Sequence, residues 1–196
     1  MRGRRMFIAV DPSAELAGRA RAVIDGLRAT GVEAAWTNPA QLHLTIHFLG
    51  DEVDDSDLHR ICVAMDEAVA GIPAFRVAFG GVGVFPDMRR PRVLWLGVLE
   101  GSAELARLHD ALAVRLTPLG FPPEARGYQP HLTLGRFRAG GRGRAGHDGE
   151  QLAAAIEACG EIDAGASDVR RVCLYESHLA REGARYECLH AASLGR

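Results

Sequence analysis

Two short strings in this chain are near-copies of each other: Gln41-Leu-His43-Leu-Thr45-Ile and Gln129-Pro-His131-Leu-Thr133-Leu, with their histidines 88 residues apart. Eight His and five Thr placed at random in 196 residues would produce His-x-Thr about 0.2 times. It occurs twice, each time with Gln at −2, Leu at +1 and an aliphatic residue at +3. Strand geometry puts residues i and i+2 on one face, so His43 emerges beside Thr45 and His131 beside Thr133. Imidazole titrates near pH 6.5, so two of them supply one neutral base and one protonated acid close to neutrality. The two hydroxyls are neutral donors suited to the non-bridging oxygens of a phosphate. Together these parts suit in-line displacement at a phosphodiester without a metal. One His activates the attacking oxygen, the other protonates the leaving oxygen, and the two rings must stand about 5–8 Å apart across the phosphorus.

A metal reading is weaker. His43 and His47 share strand parity, but on a regular strand they lie about 13 Å apart, too far for one ion. The acidic run of Asp51, Glu52, Asp54, Asp55 and Asp57 reads as a solvated helix start. The four cysteines, Cys62, Cys159, Cys173 and Cys188, form no C-x-x-C pair and read as reduced core residues, none of them a nucleophile. No cofactor or metal is called for.

The elements that must position the motifs follow from periodicity and punctuation. Strands are expected over 5–10, 32–36, 43–49, 75–84, 93–98, 131–137, 169–176 and 185–190. Helices are expected over about 13–30, 56–70, 102–116 and 150–159. An Arg/Gly-rich loop occupies 138–149. Strands and helices mix without the one-to-one alternation of a parallel doubly wound sheet, which predicts an α+β fold with largely antiparallel sheets flanked by helices. The doubled motif suggests a duplication: two pseudo-symmetric lobes in one domain over 1–196, with an active-site cleft between them.

Composition narrows the function. All 23 basic residues are Arg, which removes a P-loop lysine, a Schiff base and a lysyl-nucleotide intermediate. A net charge of −2 argues against a general nucleic-acid coat, while leaving room for a local basic groove. Apolar runs are too short to span a bilayer or to form a signal-peptide core, so a cytoplasmic, non-membrane protein is expected. A monomer is the expected state.

The chain resembles the 2H phosphoesterase superfamily, which is named for two such motifs. Within it the chain resembles the RNA 2',3'-cyclic phosphodiesterase family, once called 2'-5' RNA ligases. The resemblance runs from Phe7-Ile-Ala-Val-Asp11 to Leu189. It takes in His43-Leu-Thr45-Ile-His-Phe-Leu-Gly50, His131-Leu-Thr133-Leu-Gly-Arg136 and Leu174-Tyr-Glu-Ser177-His-Leu179. It implies a bilobal α+β fold and metal-free hydrolysis of a 2',3'-cyclic phosphate at an RNA end to a 2'-phosphate, with reversible 2'-5' joining of RNA ends. It also implies that His43 and His131 are the proton-transfer pair and that Thr45 and Thr133 bind the phosphate. The sequence does not order the two histidines, and the order expected here is His43 as acid and His131 as base. Phe48 and Arg136, at +5 in each motif, would contact substrate by base stacking and phosphate pairing. Plain strand parity puts +5 on the wrong face, so these two roles require a bulge or a strand end near Gly135.

Trp36 is a further candidate to stack on a base. Arg89, Arg90, Arg92, Arg138, Arg142 and Arg144 lie in two loops that an RNA backbone would reach, although solvated arginines are the simpler reading. The remaining histidines receive no role. The expected partners are RNA ends or cyclic-phosphate nucleotides. Competing readings are a phosphodiesterase acting on a small cyclic nucleotide or on ADP-ribose 1'',2''-cyclic phosphate, a non-catalytic RNA-end-binding module, and a structural role. Binding alone does not need two titrating groups, and a structural role leaves the duplicated polar strand face unexplained.

Overall fold

The computed structural model describes residues 3–137, 149–180 and 183–195. The expected Arg/Gly loop lies, up to residue 148, outside the described residues. Among the described residues no helix is long and apolar enough to cross a membrane.

The strands are β1 (Arg4–Val10), β2 (Ala35–Trp36), β3 (Leu44–Val53), β4 (Phe75–Phe85), β5 (Val93–Glu100), β6 (His131–Arg136), β7 (Asp163–Val169), β8 (Arg171–Ala180) and β9 (Gly183–Ser193). The helices are α1 (Ala14–Ala29), α2 (Leu58–Val69), α3 (Ser102–Leu116) and α4 (Gly149–Ala158). All these strands join one antiparallel sheet in the order β7-β4-β5-β6-β3-β1-β8-β9, with the two-residue β2 added beside β6. The order is a palindrome about the β6–β3 junction. In each half a strand, a helix and a motif strand follow one another, as β1-α1-β3 and as β5-α3-β6. The expected α+β duplication is present, but its two halves share one curved sheet rather than owning separate sheets.

Ser13 caps α1 by accepting the Leu16 amide, and the helix buries Leu16, Ala20, Ile24 and Leu27, the row its spacing predicts. α3 buries Leu105, Leu108, Leu112 and Leu116 in the same way. Both helices cross the halves: α1 packs on β7 and α3 on β3. Leu44, Ile46, Leu132 and Leu134 of the motif strands point into this helix-covered core and are at most 2% exposed. Their removal from water anchors the motif strands, at about 1.5–3 kcal/mol for each fully buried aliphatic side chain.

Two expectations need correction. The stretch 163–169 forms a strand of its own, β7, where no element was expected. Its Ala, Gly, Ser and Asp residues show no apolar alternation, and its ladder partner β4 is what makes it a strand. Cys188 is exposed rather than part of the core, while Cys173 is buried and Cys62 and Cys159 are half-buried; all four are free thiols.

Candidate active site

β3 and β6 meet at a single register pair, Leu44 opposite Leu132. Continuing that antiparallel register by one residue each way sets His43 opposite Thr133 and Thr45 opposite His131. On that continuation each histidine would face the other motif's threonine. The two histidines occupy a diagonal of this ladder, a separation of roughly 7–8 Å between backbone positions. The four residues are half-buried on the face opposite the leucines.

Both rings are held in the same manner. His43 Nδ1 lies 2.8 Å from the Gln41 carbonyl, and His131 Nδ1 lies 2.8 Å from the Gln129 carbonyl. A carbonyl only accepts, so Nδ1 carries the hydrogen in each ring and Nε2 is left as the titrating nitrogen. This gives the Gln shared at −2 a backbone role in both motifs. Aromatic rings then brace each imidazole. His43 packs on Phe7 at 4.8 Å and meets Tyr186 edge-on at 4.9 Å and 80°. His131 meets Phe85 edge-on at 5.0 Å and 83°, with Trp95 at 6.5 Å.

The environment favours neutral rings. Burial pushes the His43 pKa down, and the charges of Arg136 and His131 push the same way, against the Gln41 carbonyl and Asp11. Burial likewise lowers His131, helped by Arg136 and Arg126 and opposed by the Gln129 carbonyl. Arg136 is thus felt at both imidazoles.

Its position follows from a backbone irregularity repeated in both motifs. In β6, Thr133 pairs with Trp95 but Gly135 pairs with Leu94, leaving Leu134 as an extra residue. In β3, Thr45 pairs with Ala9 but His47 pairs with Ile8, leaving Ile46 extra. Each is a bulge at +3, and a bulge reverses strand parity beyond it. Arg136 then pairs with Val93 and Phe48 with Phe7, which returns both +5 side chains to the histidine face. The required bulge exists in both motifs, one residue ahead of Gly135 in the second. Phe48 is half-buried, with the Arg5 guanidinium 4.8 Å from its ring centroid.

The bulge also corrects the parity assumed for His47. It lies on the core face, 2% exposed, with Nε2 3.0 Å from the Phe121 carbonyl, so it and His43 point to opposite sides of the strand. It stands 6.0 Å from His109, which stacks on Tyr128 at 4.5 Å. His47 therefore ties the first motif strand to the loop that leads into the second. Trp36 pairs with Gly135, packs against the core and has Arg28 at 5.5 Å, so it does not line the histidine face.

Other residues of the site are not singled out by the sequence. Asp11 accepts the Tyr175 hydroxyl at 2.6 Å and has Arg171 at 4.0 Å. Burial and the Asp11 contact raise the Tyr175 pKa. Cys173, 3.8 Å from Asp11, is pushed up to about 12 by burial, so it stays a thiol. Asp11, Tyr175, Tyr186, Phe85 and Trp95 carry no local signal beyond strand pattern, because what unites them is pairing between distant strands. Among the described residues one metal-type group occurs: Glu176, His178 and Glu187 have ligand atoms within 4.8 Å of one another. Glu176 already pairs with Arg4, and the alternation along β8 sets it on the face opposite Tyr175. The acidic run is spent on structure. Asp51 and Glu52 lie near the end of β3, where Asp51 pairs with Arg5. Asp54 caps a short turn, Asp55 pairs with Arg4 and Asp57 with Arg60.

A palindromic α+β sheet with two matched His-x-Thr strands on one face defines a 2H phosphoesterase. Residues 19–180 match the family model described as the 2'-5' RNA ligase superfamily, and the chain belongs to that superfamily. It is 33% identical over 186 residues to a protein named RNA 2',3'-cyclic phosphodiesterase from Aeropyrum pernix, covering 92% of this chain and 99% of that one. A protein of the same name from Methanothermobacter thermautotrophicus is 34% identical over 182 residues, covering 93% and 94%. Among solved structures, a Thermus thermophilus protein superposes with a TM-score of 0.78 at 25% identity, over 98% of this chain and 99% of that one. Escherichia coli LigT complexed with 3'-AMP superposes with a TM-score of 0.73 at 25% identity, over 99% of each chain.

Proposed function

We propose that this protein hydrolyses 2',3'-cyclic phosphates at RNA ends to 2'-phosphates by acid–base catalysis between His43 and His131. The observation that supports the proposal is the Leu44–Leu132 pair, which brings the two motif strands side by side with both histidines next to it. A water oxygen attacks phosphorus, and its proton passes to Nε2 of His131. The bond from phosphorus to the 3'-oxygen breaks, and His43 delivers its Nε2 proton to that oxygen. The product carries a 3'-hydroxyl and a 2'-phosphate. Burial lowers the proton affinity of both rings, and the charge of Asp11, which opposes this at His43 and has no counterpart at His131, is why His43 is taken as the acid. Thr45 and Thr133 approach from the sides, where their hydroxyls donate to the non-bridging oxygens. Arg136 pairs with the phosphate, and Phe48 stacks on the base of the terminal nucleotide. A 5'-hydroxyl replacing water would give the 2'-5' linkage by the same steps.

The relatives' name supports an RNA end over a smaller cyclic phosphate. The test compares kcat/KM for an oligoribonucleotide ending in 2',3'-cyclic phosphate with that for ADP-ribose 1'',2''-cyclic phosphate. A preference for the oligonucleotide is expected. A preference for the ADP-ribose compound would transfer the function to the alternative class, and inertness toward both would leave only a binding role.

A further inference from the structure

The two glutamines that orient the motif histidines are held in different ways. Gln41 ends a short helical turn over Pro39–Gln41. Its backbone amide donates to the Asn38 carbonyl and its side-chain amide to the Ala184 carbonyl, both at 2.8 Å. Gln129 has neither support among the described residues. It lies in an irregular, largely exposed segment after α3, and among the described residues no backbone-to-backbone hydrogen bond holds 122–130. Side chains hold that segment instead. At its start the Phe121 carbonyl accepts from His47 Nε2 at 3.0 Å. At its end Tyr128, the residue before Gln129, stacks on His109 of α3 at 4.5 Å and 8°. The two clamping imidazoles stand 6.0 Å apart.

His47 is an expensive residue for this place. It is 2% exposed, and its Nδ1 has no partner among the described residues. A leucine would fill the same space without burying a bare nitrogen. Burial pushes the His47 pKa down, so the ring stays neutral and keeps the one N–H that it gives to Phe121. Packing does not account for His47, whereas that hydrogen bond does.

We infer that His47 is a positioning residue for His131: by fixing the Phe121 carbonyl it sets the segment that brings the Gln129 carbonyl to His131 Nδ1. The strand of the first motif thereby aligns the imidazole of the second. The kinetic consequence rests on the proposed phosphodiesterase reading, and the effect on the His131 ring does not. His43 is independent of this device, because the turn over Pro39–Gln41 holds its own carbonyl partner.

The test compares His47→Leu, which keeps the apolar fill and removes the donor, with His47→Gln, whose side-chain amide can replace Nε2 as the donor. Imidazole nitrogen-15 shifts are read without substrate at about pH 8, above the ordinary His range near 6.5. His131 should be in its Nδ1–H form in the parent protein and a mixture of both N–H forms in His47→Leu, while His43 keeps its form in each. On an oligoribonucleotide ending in 2',3'-cyclic phosphate, His47→Leu should lower kcat roughly 10- to 100-fold, the scale of misplacing a catalytic group by about 1 Å. Its KM should stay within about threefold. His47→Gln should restore the Nδ1–H form of His131 and bring kcat to within about threefold of the parent. His47→Asn, too short to reach Phe121, takes the place of the Leu variant if that protein does not fold. A His131 ring that keeps its Nδ1–H form in the folded variant would overturn the inference. So would loss of that form at His43 and His131 alike, which marks a general loosening of the sheet, or a changed His131 ring with undiminished kcat. If no cyclic phosphate is turned over while the His131 shifts still follow residue 47, the phosphodiesterase reading fails and the positioning role stands.

Discussion

Replacing His43 and His131 by alanine, singly and together, should show whether the two rings act on one phosphorus. Losing a positioned proton donor or acceptor costs about 100- to 10,000-fold, equivalent to about 2.7–5.5 kcal/mol at 1.36 kcal/mol per decade. On the proposed reading the two rings, set next to the one Leu44–Leu132 pair, act in one transition state rather than at two separate sites. The double variant should then be scarcely slower than the worse single variant. The coupling energy would equal most of the smaller single effect, about 2.7 kcal/mol or more. Independent action would instead add the losses, to a combined 10⁴- to 10⁸-fold. The assay is kcat/KM on an oligoribonucleotide ending in 2',3'-cyclic phosphate, with a thermal melt of each variant, since His43 also packs on Phe7 and Tyr186. Near-wild-type turnover by either folded single variant would remove that residue from the chemistry, and strict additivity would refute the shared centre.

Thr45→Val and Thr133→Val keep the strand shape and remove one donor each. Each should lower kcat by roughly 100-fold, the scale of losing a single transition-state hydrogen bond, with little change in melting temperature. The pH dependence of kcat/KM should be a bell with limbs belonging to the coupled pair. Burial and Arg136 both disfavour the imidazolium forms, so the bell should be centred on the acid side of the ordinary His range near 6.5. Arg136→Ala removes a positive charge felt at both rings, which raises both proton affinities and should move the whole bell to higher pH. A bell that stays in place, or moves to lower pH, would show that Arg136 does not act on these histidines.

How much of this is legible before the fold is known depends on whether a feature is local. His43, Thr45, His131 and Thr133 stand out because residue type, spacing and repetition all lie within short strings, and the helix rows of α1 and α3 are legible for the same reason. The bulges at Ile46 and Leu134 are not legible, since neither carries a glycine or proline, and only the pairing with Ala9 and Trp95 reveals them. That is why simple parity puts His47 on the wrong face, and why it places Phe48 and Arg136 only conditionally. β7 has no signal of its own because its Ala-Gly-Ser sequence lacks a period and becomes a strand through β4. The hydrogen bond from Tyr175 to Asp11 spans 164 residues and has no local signature.

The two-histidine reading makes a definite statement about where the phosphate ends. An oligoribonucleotide bearing a 2',3'-cyclic phosphate, incubated with the protein in excess EDTA and followed by phosphorus NMR, should lose the cyclic resonance and gain that of a 2'-monophosphate at an undiminished rate. Loss of turnover in EDTA that zinc or manganese restores, or accumulation of the 3'-monophosphate, would contradict metal-free protonation of the 3'-oxygen by His43.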